Sequence, residues 1–369
     1  RSESRTKGYV PRAGLFGKLN QSLQSTSAAC TIVAGESGGG KTALLAAWLD
    51  NARLPQRTFV HYIGGTAESA TAKGIVIRLM ETIRRWGVVN EPVPKDFGEA
   101  VQVLPQWLEK AARDQENGVL LVFDALNQLE EQDQSLYWLP KLLPPGVHLI
   151  LSTLPGKAED EIRQRGWLHE NNLVEVTPLS VAERREIIGS YLQRCVKQLA
   201  PHLVDRLATS PQTSNALFLK VALDELRLRG RHEHLEAQVN QLLTAKNPIE
   251  LFVQVLKGLE ENDRLRPNLV REAMGYLAVA RRGLTESELL QLLSQEEEPA
   301  TNPMPMAYWS PLFLALEQSL VSRFGRLGFF HDYLRQAVEQ EYLDEEWERK
   351  KVHGRLGEDR KSTRLNSSH

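Results

Sequence analysis

The sequence predicts an α/β fold, a parallel sheet with helices on both faces, followed by an all-α segment and a module of helices with a small hairpin. Three observations carry this. From Ala28 to about Val176, short apolar runs alternate with longer stretches of helical periodicity. After Pro178 the strand signal fades. From roughly Arg264 to Leu343, helices surround two short strand-like runs with a glycine between them.

Each element follows in order. "ACTIVAG" reads as the first strand and "KTALLAAWLD" as the helix after it. "TFVHYIG" is the second strand, and Val76, Leu79, Met80 and Ile83 then recur at helical spacing. "GVLLVFD" and "GVHLILST" are the third and fourth strands, with "LPPG" turning into the fourth, and "NLVEV" is the fifth. Apolar runs without polar alternation, separated by amphipathic helices, are what a parallel sheet covered on both faces requires. "SVAERREIIGSYLQRCVKQL", "SNALFLKVALDELRLRG" and "PIELFVQVLKGLEE" are helical. "LVREAMGYLAVARRG" and "TESELLQLLS" are helices too, the second opened by a capping-box pattern from Thr285 to Glu288. "LVSRFGRLGFF" reads as the hairpin and "HDYLRQAVEQEYL" as the closing helix, so the last module has the make-up of a winged helix.

The 369 residues suggest two or three domains. A net charge of −2 offers no basic field for nucleic acid or anionic lipid. Cys30 and Cys195 lie far apart and form no metal-spaced cluster, which fits a reducing compartment. No apolar run approaches eighteen residues and no signal peptide is visible, so a cytoplasmic protein is expected, with no membrane partner. The chain begins at Arg1, and its tail "DRKSTRLNSSH" reads as a translated sequencing adapter, so a fragment cut at one or both ends is expected.

"GESGGGKT" follows a strand and opens a helix, the context in which a phosphate loop is credible. The backbone of Gly35, Glu36, Ser37, Gly38, Gly39, Gly40 and Ala43 is the expected cradle for ATP or ADP. Lys41 supplies a point charge to the outer phosphates, and the Thr42 hydroxyl is a ligand for Mg2+. Asp124 ends the third strand, where its carboxylate can reach the same ion. A parallel-sheet P-loop NTPase is the fold these residues define. The next polar residues after Asp124 are the amides Asn127 and Gln128. An amide can orient a water but cannot take its proton, so slow ATP hydrolysis is expected. Glu130 or Glu131 could substitute, although a solvated helix start is the commoner role. Thr153, with Ser152, ends the fourth strand, where a hydroxyl could sense the γ-phosphate or simply cap the strand. His331, after two phenylalanines, reads on chemistry alone as a packed histidine.

Taken together, the chain resembles the signal-transduction NTPases with numerous domains, and within them the NACHT branch of nephrocystin-type and telomerase-associated proteins. The likeness rests on "YVPR", "GESGGGKT", "LVFDALNQL", "LILSTLPG", "RGW", "SNALFLKVALDELR", "ARRGLTESELL" and "GFFHDYLRQAV" in that order. It implies an N-terminal linker and helix over 1–27, a nucleotide domain over 28–177, a helical lid over 178–247, a winged-helix domain over 248–346 and a disordered tail over 347–369. In that family picture "YVPR", with Val10 and Pro11, lies near the adenine, and His331 reaches the β-phosphate of ADP. Ala216 stands where the lid motif usually carries proline, so no direct nucleotide contact is expected there. Asn127 and Gln128 replace the acids usual in the branch, which bears on turnover rather than binding. Such proteins are switches: ADP holds them closed, and ATP opens them to self-oligomerise. Protein partners are then expected through repeats or effector domains outside this piece.

Two other classes compete. A nucleotide-gated DNA-binding ATPase of the replication-initiator type is disfavoured by "TESELLQLLSQEEE", with five glutamates and no basic residue, so no nucleic acid partner is expected. An ATP-driven, AAA-like remodelling ATPase would want a strong catalytic acid and an arginine finger, and neither is identifiable.

Overall fold

The computed structural model describes residues 9–24, 30–64, 68–113, 118–195, 198–229, 234–261, 266–280, 283–294, 304–317, 319–323, 325–350 and 352–356. The adapter-like tail lies outside them, whereas residues 347–350 and 352–356, expected as disordered tail, are helical, with Leu356 buried and Arg355 donating to the Tyr276 hydroxyl at 3.2 Å. The chain divides into two compact units, Arg1–Val196 with Ser214–Leu217, and Lys197–Thr213 with Phe218–His369.

In the first unit α1 (Ala13–Gln24) precedes β1 (Cys30–Gly35), α2 (Lys41–Asn51), β2 (Arg57–Tyr62), α3 (Ala72–Arg85), α4 (Phe97–Ala112) and β3 (Val119–Asp124). Then come β4 (Val147–Ser152), α5 (Lys157–Gln164), β5 (Leu173–Val176) and α6 (Val181–Arg194). The five strands lie in the order β2-β3-β4-β1-β5, every neighbouring pair parallel. Strand alternation divides the apolar residues between two cores. Ile32, Leu121, Phe123 and Leu149 face α3 and α4, while Val33, Leu120, Val122 and Ile150 face α1 and α2. All six residues of β3 are buried, which is why its sequence shows no polar alternation. Burying each of its five apolar side chains, Val119 to Phe123, is worth about 1.5–3 kcal/mol relative to leaving it exposed.

Local signals set the helices. The Thr71 hydroxyl caps α3 by accepting from Gly74 N–H at 3.1 Å, and Ile75, Val76, Leu79, Met80 and Ile83 form its buried face. α4 holds Pro105 in its interior and survives because Leu104, Trp107, Leu108 and Ala111 are buried. Asp133 is buried, and its carboxylate accepts from Ala72 N–H at 2.7 Å and from the Tyr137 hydroxyl at 3.2 Å.

β3, β4 and β1 are adjacent, and the register pairs Val122 with Ile150 and Val33 with Ser152. The ends Asp124, Ser152 and Gly35 therefore meet at one edge, with α2 leaving toward one face and α3 lying on the other. That is the crevice where ligands bind in doubly wound sheets.

The second unit contains α7 (Pro201–Thr209), most of α8 (Ala216–Arg229), α9 (Leu235–Leu242), α10 (Pro248–Glu260) and α11 (Leu269–Val279). β6 (Leu284–Thr285), α12 (Glu286–Leu292), α13 (Met306–Leu316), β7 (Leu320–Arg323), β8 (Arg326–Phe329) and α14 (Asp332–Tyr342) follow. The hairpin β7–β8 gains a third strand, giving the antiparallel order β6-β8-β7. The Thr285–Glu288 capping box is present, and Arg326 binds the Glu288 carboxylate at 2.9 Å, joining β8 to α12. α10 and α11 both pack against α14. No helix among the described residues is long and apolar enough to cross a membrane.

Candidate functional site

β1 ends at Gly35, and α2 begins at Lys41 after Gly40, whose backbone is left-handed. Between them the loop curls around the lysine. The buried Lys41 Nζ donates to the carbonyls of Gly35 at 2.7 Å and Glu36 at 2.9 Å. Burial pushes this ammonium down to about 8, against the pull of the Asp124 and Glu36 carboxylates. The first N–H groups of a helix have no partner within it and lie at its positive end. The start of α2, with Lys41 beside it, therefore has the chemistry that binds phosphate oxygens at helix N-termini.

Asp124 is buried at the end of β3. The Ser152 hydroxyl donates to its carboxylate, and Ser152 Oγ itself accepts from Ala125 N–H at 2.8 Å. Ser152 thus fixes the acid on the neighbouring strand. Thr153 is buried, its hydroxyl donating to the Leu154 carbonyl at 3.0 Å and its N–H to the Val33 carbonyl at 3.2 Å. Both hydroxyls thus make bonds at the strand end.

Mg2+ fits these residues. Thr42, half-buried in the first turn of α2, and Asp124 are hard oxygen donors. Among the described residues no group of three or more His, Cys, Asp or Glu side chains could hold a metal. An ion here would draw its other ligands from phosphate and water, which is how magnesium ordinarily binds.

Immediately after Asp124 the chain turns sharply. Ala125 is left-handed (φ 67°), a conformation that costs a non-glycine residue about 1–2 kcal/mol, and a 3₁₀ turn covers Leu126–Gln128. Asn127 is half-buried and Gln128 exposed. The Gln128 side chain lies against Gly64, so close that a Cβ there would sit 1.9 Å from its Oε1. Gly64 follows β2, which flanks β3 on the side away from β4 and β1. Glu131 is exposed and pairs with Lys157 at 3.6 Å, and Glu130 is exposed as well.

Tyr9 stacks on Phe16 of α1 with ring centroids 6.2 Å apart and packs against the core shared by α1 and α2. Burial pushes its hydroxyl up to about 12, against the pull of Arg12. Val10 is half-buried and Pro11 exposed. Arg12 binds the Glu183 carboxylate at 2.6 Å and the Thr177 carbonyl and hydroxyl at 3.0 and 3.1 Å. It pins the segment to the end of β5 and the start of α6. No local pattern announces this clamp, since its partners lie 165 and 171 residues away.

The short stretch Ser214–Leu217 also belongs to this unit and touches the phosphate loop. A Cβ on Gly40 would stand 3.7 Å from that of Ala216, and Asn215 donates to the Ser37 carbonyl. His331 lies in the second unit, just before α14. It is half-buried, stands edge-on to Phe330 with ring centroids 4.5 Å apart, and is pushed down to about 3 by burial and then by the Lys220 ammonium.

Residues 29–194 match the NACHT domain model. A TPR repeat-containing protein of Dictyostelium discoideum is 27% identical over 354 residues, covering 85% of this chain and 21% of its own length. Human nephrocystin-3 is 23% identical over 328 residues, covering 85% and 23%. Human NACHT and WD repeat domain-containing protein 2 is 26% identical over 361 residues, covering 87% and 20%. The chain spans about a fifth of the length of the curated relatives it matches.

Proposed function

We propose that this chain, which carries a nucleotide-binding NTPase domain of the NACHT branch, is the ATP/ADP-controlled switch of a larger signalling protein. The observation that carries the reading is the receptor at the end of β1: helix start, buried Lys41 and an Asp124 anchored by Ser152. The loop backbone and Lys41 hold the phosphates. Thr42 and Asp124 hold Mg2+, which when bound neutralises charge on the outer phosphates. Tyr9, Val10 and Pro11 lie by the base. Thr153 contributes its place at the strand edge rather than a free hydroxyl.

Hydrolysis is slow in this account. Asn127 can orient a water but not deprotonate it, Gln128 leans toward Gly64, and Glu131 is engaged at the surface. Slow turnover suits a switch, because the ATP state must outlast the signal. The second unit is read as the remainder of a helical lid followed by a winged-helix domain. His331, neutral at physiological pH, is its hydrogen-bonding group toward the β-phosphate of ADP. A nucleotide shifts such an equilibrium only through unequal affinity for the two arrangements, so ADP favours the closed form and ATP the open one. Self-association in the ATP state, a cytoplasmic setting and protein partners bound outside this piece complete the proposal. The relatives named for TPR or WD repeats support that last point.

Single-turnover kinetics test the turnover claim. With protein in excess over ATP and Mg2+, phosphate release is expected over minutes rather than seconds. A fast burst would contradict it.

A further inference from the structure

In a planar trans peptide unit the carbonyl and the following N–H point in opposite directions. Whatever grips a carbonyl of the phosphate loop therefore also aims the next N–H. Two of the loop's carbonyls are gripped from one short stretch of chain. Asn215 Nδ2 donates to the Ser37 carbonyl at 3.0 Å, and Leu217 N–H donates to the Gly38 carbonyl at 3.0 Å. The Gly38–Gly39 peptide is held at its other end too, since Gly39 N–H donates to the Glu36 carbonyl at 3.2 Å.

Asn215 is braced for this task. Its Oδ1 accepts from Leu217 N–H at 3.1 Å, in the manner of an N-cap for α8. The preceding carbonyl, that of Ser214, accepts from Leu179 N–H at 2.8 Å, which ties the stretch to the connection between β5 and α6. The approach demands glycine on the loop side. Gly38 is left-handed (φ +71°), and a Cβ there would meet Asn215 Oδ1 at 2.8 Å and Leu217 Cβ at 3.1 Å.

We propose that Asn215 is a positioning residue for the phosphate loop. By holding the Ser37 carbonyl it turns the Gly38 N–H to the opposite side, where a phosphate oxygen can take it. It thereby sets affinity for a polyphosphate without touching the ligand. The inference rests on the nucleotide reading of the loop and adds a component outside the loop motif. It also gives Ala216, which lacks the proline of the lid motif, a neighbour that reaches the site through backbone rather than through nucleotide.

The test separates the latch from the cap. Serine caps helices about as well as asparagine, yet its hydroxyl is too short to reach the Ser37 carbonyl while capping. Aspartate keeps both the shape and the cap but cannot donate. ADP affinity by calorimetry and thermal midpoint without nucleotide are measured for the parent, Asn215→Ser and Asn215→Asp. Both variants are expected to keep the parent's midpoint and to bind ADP about three- to tenfold more weakly, the worth of one lost hydrogen bond. The aspartate variant is expected to be the weaker, because its carboxylate sets a negative charge against the Ser37 carbonyl that the amide had held. If Asn215→Ser destabilises the fold, Asn215→Asp decides alone. Parent-like ADP affinity in the deciding variant would overturn the latch and leave the nucleotide reading standing. A parent that binds no ADP would overturn both.

Discussion

Above about pH 8 the nucleotide-free Lys41 loses its proton, because burial outweighs the attraction of Asp124 and Glu36. A bound polyphosphate favours the charged form, so binding at higher pH must take up a proton, and affinity weakens as pH rises through that value. ADP affinity measured by calorimetry at pH 7 and pH 9 is expected to fall by roughly tenfold, one pH unit of linkage being worth 1.36 kcal/mol. A flat profile would mean that Lys41 does not face the phosphates. Asn127 sets a second expectation at this scale. It follows Asp124 by three residues and is half-buried, whereas Gln128 is exposed and lies against Gly64. Asn127→Asp restores a group that can accept a proton, and single-turnover hydrolysis should quicken by about tenfold or more if a missing base limits the rate. An unchanged rate would place the limit elsewhere.

At the scale of elements, Asp133 is the hinge pin of the α3 side. Its carboxylate accepts from the buried start of α3 and from Tyr137, and Trp138 Nε1 donates to its carbonyl at 3.2 Å. Asp133→Ala leaves the Ala72 N–H without its partner and should cost about 1–3 kcal/mol in urea denaturation, with the phosphate loop unaffected. A loss below the error of the fit would show that water replaces the carboxylate. The sequence makes these elements visible in proportion to how local their causes are. Five strands, the glycine-rich turn between β1 and α2 and the Thr285 capping box are written in contiguous residues, and each is observed where expected. α4 escapes the reading because Pro105 looks like a breaker, whereas burial of Leu104, Trp107 and Leu108 overrides it. β6 escapes because two residues carry no period, and pairing with β8 alone defines it. The roles of Ser152, Arg12 and Asn215 are equally silent, because each depends on a hydrogen bond to a residue 28 to 178 positions away. Spacing cannot encode such bonds.

At the scale of the molecule, the proposed switch assigns the phosphate-binding loop to the first unit and His331 to the second. The histidine's place in it follows from sign. Its folded value lies far below the ordinary one, so the stability it reflects is present above about pH 6.5 and is lost as pH falls toward 3. Through the physiological range it offers a neutral ring, suited to a hydrogen bond rather than an ion pair. All of this depends on a phosphate chain occupying the curl of backbone around Lys41. The most direct measurement is the nucleotide carried by the purified chain, released by denaturation and assayed beside Lys41→Ala after incubation of both with ADP and Mg2+. The account expects stoichiometric nucleotide in the parent and none in the variant. A parent without nucleotide, or a Lys41→Ala protein that retains as much, would contradict it.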